Sequence, residues 1–455
     1  MLRRWHAELA WLRDTGLTRD VLIEASGERF TRVEAGTPVP ADAVRLRGLT
    51  LPGFANAHSH AFHRALRGTT QAGRGSFWTW RELMYSVAAR LDPDSYFELA
   101  RAVYAEMALA GITCVGEFHY LHHGADGVPY ADPNAMGRAL VAAASAAGVR
   151  LTLLDTCYLA GGLSAADGVV PLAGPQLRFG DMDGDGWASR VSSLGADSIG
   201  MLGPSVRVGA AIHSVRAVPP EQMGPVVQWA QLSAAPLHVH LSEQVAENRA
   251  CQAVYGVSPT RLLYDEEVLG PRTSVVHATH VSGADTAVLG SSQAFACICP
   301  TTERDLGDGL TPCSLLSSAG CRLTVGSDSH AVIDMFEEAR GIEYVSRLAE
   351  QSRGVFAASA LLEAATADGH ASLGWADAGA IAPGAWADLV TVSLDSVRAG
   401  GIAAEAAIEA AVFAATAADV RDVVAGGRDV VRDGTHVTVG DVAAALSSAV
   451  GAALG

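Results

Sequence analysis

The chain has 455 residues, 49% of them apolar and 18% charged, with a formal net charge of −17. That composition can fill a large core and argues against disorder, and its acidity weighs against nucleic-acid backbones and anionic membrane surfaces as partners. No stretch reaches the roughly 18 uncharged apolar residues of a membrane span, and no signal-peptide run follows Met1–Glu8, so a cytoplasmic chain is expected.

In chain order, short β-like runs come first, Val21–Glu24 and Phe30–Glu34, punctuated by Gly27, Gly36 and Pro38. Short apolar runs then alternate with Ala-rich helical stretches, at Leu51–Asn56, Ile112–Glu117, Arg150–Asp155, Ser205–Ile212, Pro236–His240, Thr273–His277, Ala294–Cys299 and Arg322–Ser327. Continuous apolar runs are what parallel strands covered on both faces require. Eight βα units predict an α/β fold, a closed (β/α)8 TIM-like barrel over residues 51–379. A doubly wound open sheet is the alternative, but no Gly-rich dinucleotide fingerprint follows any of the runs. The segment Gly161–Ser198, rich in Gly, Asp and Pro, reads as a long loop with little regular structure. After the barrel the β-like style resumes at Ala387–Val392, Asp422–Val424 and Val430–Val431. Residues 1–50 and 380–455 are therefore expected to meet in a small β-sandwich module, since neither end closes a core alone. Val442–Leu454 reads as a surface helix.

The seven cysteines are odd in number and mostly in apolar surroundings, which predicts reduced thiols rather than a disulfide framework. Cys297 and Cys299 share a face of a strand, with no second cysteine pair to complete a zinc site.

Most of the fifteen histidines lie at or just after the C-terminal ends of the predicted strands, which converge on one face of a barrel. The first strand runs into His58-Ser59-His60, where alternation puts both imidazoles on one side. The fifth runs into His238-Val239-His240 with Glu243 beyond, the sixth into His277 and His280, and the eighth into Ser327-Asp328-Ser329-His330. Each signal alone has a bland alternative, a satisfied core histidine or a surface ion pair. Four in this order at strand ends outweigh it. Three imidazoles and one carboxylate suit one Zn²⁺ with a water completing the shell, and Fe²⁺ accepts the same ligands. Such an ion lowers the pKa of water from about 16 toward 7, and a base and an acid are then needed. His277, Asp328 and Glu243 are the candidates. No lysine stands at the end of the fourth strand to bridge two metals.

Pro52–His60, His240-x-x-Glu243, His277 and Ser327-Asp328 resemble the one-metal deaminase branch of the amidohydrolase superfamily. Ser76–Tyr85, Gly116–His123, His213–Val218 and Cys299–Gly309 extend the likeness over residues 50–345, toward the deiminases of histidine breakdown. The resemblance implies a barrel of the metal-dependent hydrolase type, working as a homodimer. It implies hydrolysis of N-formimino-L-glutamate to N-formyl-L-glutamate and ammonia. It makes His58, His60, His240 and Asp328 zinc ligands. His277 and Asp328 would deprotonate the water, and Glu243 would protonate the departing ammonia. Arg81, Tyr120, His213 and Arg216 would contact the small dicarboxylate substrate, both arginines lying in loops after strands. Arginine suits that task because its forked donors match a carboxylate. Trp78 and Trp80 would wall the pocket. One position departs from the pattern: His63 stands where these enzymes carry glutamine, either as a neutral contact or as a charge that strengthens carboxylate binding. Two other readings remain: deamination of another formimino-amino acid or a nucleobase-like ring by the same machinery, and a scaffold that has lost catalysis. The full set of candidate ligands and proton carriers weighs against the scaffold.

Overall fold

A computed structural model describes residues 2–71, 75, 77–201 and 203–455. Eight parallel strands follow one another in sequence order: Phe54–Ser59, Ile112–His119, Arg150–Cys157, Val206–Ile212, Leu237–Leu241, Thr273–His277, Phe295–Ile298 and Arg322–Val325. The first and last meet through a parallel bridge between Ser59 and Asp328. The Asp328 N–H donates to the His58 carbonyl at 3.0 Å, and the His60 N–H reaches the Asp328 carbonyl at 3.4 Å. The result is a nearly closed (β/α)8 barrel. Almost every strand residue is buried, which is why these segments read as unbroken apolar runs.

The terminal segments form a second eight-stranded sheet, mostly antiparallel. Its order is Thr435–His436, Arg428–Arg432, Val420–Ala425, Leu389–Val392, Val44–Pro52, Leu2–Leu12, Gly16–Ser26 and Arg29–Glu34. Trp5, Val21, Ile23, Phe30, Leu46, Leu389 and Val424 make it a core of its own, as a β-sandwich module requires. Among the described residues no helix is long and apolar enough to cross a membrane.

Two expectations need correction, and one strand was not anticipated. The first barrel strand begins at Phe54, not Leu51. Leu51 and Pro52 end the module strand Val44–Pro52, and the chain turns at Gly53, where a Cβ would collide with Thr113. Both strands are buried, so apolarity ran across the break. Leu2–Leu12 is a full strand, although only the apolar alternation Trp5, Ala7, Leu9, Trp11 marks it among charged residues. The segment Gly161–Ser198 is not a bare loop: it holds the hairpin strands Gly162–Ser164 and Gly168–Val170, a 3-10 turn at Gly174–Arg178, and the helix Gly184–Met201. Its glycines disfavour a helix. Tertiary contacts override them, through Trp187, fully buried, and Arg190, paired with Asp155 at 2.8 Å and Asp181 at 2.9 Å.

Candidate active site

His58 and His60 project to one side of the first strand, and their Nε2 atoms lie 3.1 Å apart. His240, from the fifth strand, brings its Nε2 to 3.1 Å from that of His58. Asp328 Oδ1 stands 3.4 Å from the Nε2 atoms of both His58 and His60. Backbone carbonyls from neighbouring strands orient two of the rings: His60 Nδ1–H donates to Phe118 O at 2.9 Å, and His240 Nδ1–H donates to His213 O at 2.8 Å. Burial lowers all three imidazoles below their ordinary range, so they are neutral. With Nδ1–H donated to a carbonyl, the Nε2 lone pairs of His60 and His240 face His58 Nε2 beside Asp328, a donor set that a cation at its centre would satisfy. Zinc–nitrogen bonds of about 2.0–2.1 Å place tetrahedral ligand atoms about 3.4 Å apart, which matches these separations. The four residues fit a divalent metal ion.

The approach of strands one and eight depends on Gly326, where a Cβ would come within 2.7 Å of His58 Cβ. Asp328 and His277 both sit at positive φ, +41° and +72°, backbone conformations that non-glycine residues keep only where the surroundings enforce them. His277 Nε2 faces Asp328 Oδ2 at 3.7 Å and Glu243 Oε1 at 3.9 Å, and its Nδ1 faces Glu303 Oε1 at 3.4 Å. Burial opposes a charge on His277, but the carboxylates of Glu243, Glu303 and Asp328 lift it well above the ordinary imidazole range. Burial would raise the Asp328 carboxyl, and the facing imidazoles of His58 and His277 hold it below the usual carboxylate range instead. Glu243 is raised, mainly by burial. A proton donor, a proton acceptor and a metal-binding group thus share one pocket, with affinities set by their surroundings.

Residues 49–430 match the family model described as "Amidohydrolase family". The chain belongs to the amidohydrolase family. It is a hydrolase acting on carbon–nitrogen bonds, in a metal-dependent family. It is 38% identical over 442 residues to a formimidoylglutamate deiminase of Pseudomonas aeruginosa, covering 94% of this chain and 95% of that protein. An 8-oxoguanine deaminase of the same organism is 29% identical over 369 residues, covering 78% of this chain and 76% of that one. Among solved structures, an amidohydrolase from Brucella melitensis superposes with a TM-score of 0.91 at 33% identity, covering 100% of both chains.

The pocket of this amidohydrolase is lined by the other residues singled out in the sequence. His63, Trp80, Arg81, Tyr120, His213 and Arg216 surround it, beside Glu243, His277 and Asp328. Arg81 is not in a loop but on the helix Phe77–Ala88, which occupies the long connection after the first strand. Its Nη2 donates to Gly161 O at 3.1 Å and to Tyr158 OH at 3.3 Å. The side chain of Trp78 lies outside the described residues. His63 Nε2 is 2.9 Å from Tyr120 OH, and burial lowers its pKa to about 3. Burial thus disfavours the charged form, one of the two options for this residue. Arg216 Nε lies 3.0 Å from Glu247 Oε2, and its Nη2 lies 3.4 Å from Glu243 Oε2.

Sequence reasoning missed Tyr158, Met84 and Leu306 as lining residues, and Glu247 and Glu303 as partners of Arg216 and His277. Tyr158 directly follows the end of the third strand, a position that could have marked it. His119, His122 and Asp155 form a second cluster of potential ligands. There Arg190 takes both oxygens of Asp155, at 2.8 and 2.9 Å, and His122 Nε2–H donates to Thr156 O at 2.9 Å. The guanidinium already supplies the positive charge that a metal would bring. His280 Nε2–H donates to Asp308 O at 2.8 Å.

Proposed function

We propose that this protein hydrolyses N-formimino-L-glutamate to N-formyl-L-glutamate and ammonia, using Zn²⁺, or Fe²⁺ at the same ligands, held by His58, His60, His240 and Asp328. The observation that carries the reading is the junction of two features in one pocket. Converging imidazole lone pairs meet raised proton carriers, and Arg81 and Arg216 stand beside them. A bound divalent cation supplies the charge that makes water a nucleophile near neutral pH. Water adds to the C=N carbon; one of its protons is drawn off with the help of His277 and Asp328, the other leaves the hydroxyl as the C–N bond breaks, and both end on the nitrogen. Glu243 carries a proton to the departing nitrogen, which leaves as ammonia while the carbon keeps oxygen as the formyl group. Arg81 and Arg216 bind the two carboxylates, with Tyr120, His213 and His63 completing the contacts. The barrel, residues 54–379, carries this chemistry; residues 1–52 and 380–455 form the flanking module; and the enzyme works as a homodimer in the cytoplasm.

The relatives support the substrate class. The formimidoylglutamate deiminase shares far more identity over far more of the chain than the 8-oxoguanine deaminase does. Steady-state ammonia release from N-formimino-L-glutamate, N-formimino-L-aspartate and guanine tests the assignment. The first should have the highest kcat/KM by a wide margin; no ammonia from it, or a faster reaction with guanine, overturns the substrate assignment.

A further inference from the structure

We propose that Glu117, Ser59 and His330 form a buried clasp across the seam of the barrel, through which Glu117 positions the metal-binding side chains without touching the metal. The proposal rests on the metal-centre reading of His58, His60, His240 and Asp328.

Glu117 lies on the second strand and is fully buried. Its Oε1 accepts the Ala61 N–H at 2.6 Å, and its Oε2 accepts the Ser59 hydroxyl at 2.8 Å. One carboxyl therefore grips the residue on either side of His60. Ser59 Oγ also stands 3.1 Å from His330 Nε2. With the Ser59 proton donated to Glu117, His330 Nε2–H can donate to the serine oxygen. That leaves His330 Nδ1 as the unprotonated nitrogen, and it is indeed buried with no hydrogen-bond partner. His330 follows Asp328 by two residues, and its carbonyl is held by Arg67 Nε at 2.7 Å. The chain of bonds thus joins the segment bearing His58 and His60 to the segment bearing Asp328. It lies beside the backbone bridge that closes the ring and beyond the Asn56–Ser327 pair, whose two bonds are 2.7 and 2.9 Å.

The chemistry explains why the residue is a glutamate. Two donors, one N–H and one O–H, face the same side-chain end, and only a carboxyl group offers an acceptor to each. A buried carboxyl is costly unless its oxygens are hydrogen-bonded, as both Glu117 oxygens are. A glutamine would turn an N–H toward one of the donors, loosening the turn that aims His60.

The test uses full-length protein carrying Co²⁺, whose visible bands report ligand geometry. Wild type, Ser59→Ala and Glu117→Gln are compared for Co²⁺ affinity by chelator competition, for the visible spectrum, and for melting of the metal-free protein. Both variants should hold Co²⁺ about 10–100-fold more weakly, with altered bands, while the metal-free proteins melt close to wild type. Wild-type affinity and spectrum in both variants would overturn the clasp. So would an affinity loss matched by an equally large loss of metal-free stability, because that is a merely structural role. If Glu117→Gln does not fold, Ser59→Ala decides alone. A wild type that binds no Co²⁺ removes the metal-centre reading and the clasp with it, whereas a wild type that binds it with unaffected variants removes only the clasp.

Discussion

The two ends of the barrel bury the same kinds of side chain to opposite effect. At the C-terminal ends of the strands, His60 and His240 turn unprotonated Nε2 atoms toward His58 Nε2 beside Asp328, a donor set that a cation would complete. At the other end, next to the module, charges answer one another. Arg150 pairs with Asp388 at 2.5 Å, and Asp388 also accepts the Gly426 N–H at 2.8 Å. His370 Nε2–H donates to Gly53 O at 3.0 Å, and its Nδ1 receives Arg150 Nη2 at 3.3 Å. The N–H groups of Arg150 that find no hydrogen-bond acceptor lie against Trp386 and Trp375, with the guanidinium carbon 4.6 and 5.3 Å from the ring centroids. Satisfied polar groups lock a junction, while unsatisfied, convergent ones make a site.

The largest way to break that contrast is at the functional end. Glu243→Gln should keep bound metal, measured by elemental analysis, while turnover falls about 10²–10⁴-fold, the range for loss of an acid–base group. Comparable turnover in the variant would remove Glu243 from the mechanism. At the locked end, Arg150→Met should leave the Asp388 charge buried without its partner and cost about 3–5 kcal/mol of stability, read by urea denaturation. Metal content in the folded fraction should be unchanged; a loss of metal would show that the two ends are not independent. Arg216→Met should raise KM for N-formimino-L-glutamate about 10-fold or more, the worth of a charged hydrogen bond of about 1.5–3 kcal/mol. An unchanged KM would place Arg216 outside substrate recognition. The smallest effect near neutral pH concerns His370. Burial, and then the charge of Arg150, lowers its pKa from 6.5 to about 4. The unfolded chain therefore takes up this proton first on acidification, and His370 contributes stability above pH 6.5 that is lost as pH falls toward 4. His370→Gln keeps a donor for Gly53 and an acceptor for Arg150, so it should flatten the pH dependence of melting in that window; an unaltered slope would assign the dependence to other groups.

Much of this was legible in the residues. Eight barrel strands could be counted because burial on both faces leaves each as an apolar run, and His58-Ser59-His60 announced a shared face because alternation is a local property. What escaped depended on distant partners. The helix Gly184–Met201 defies its own glycines because Asp155 and Asp181 hold Arg190. The end of the module strand at Pro52 was hidden because two buried strands abut. Glu247 and Glu303 carry no local sign of the arginine and histidine they face.

By itself the sequence determined which donors are available and on which side of each strand they stand, since both follow from residue type and a two-residue repeat. Only the tertiary structure decided which nitrogen of His60 and His240 carries the proton, because the carbonyls that claim it, of Phe118 and His213, arrive on neighbouring strands. It likewise decided that the charged form of His63 is disfavoured, because solvation is lost only once the pocket closes around it.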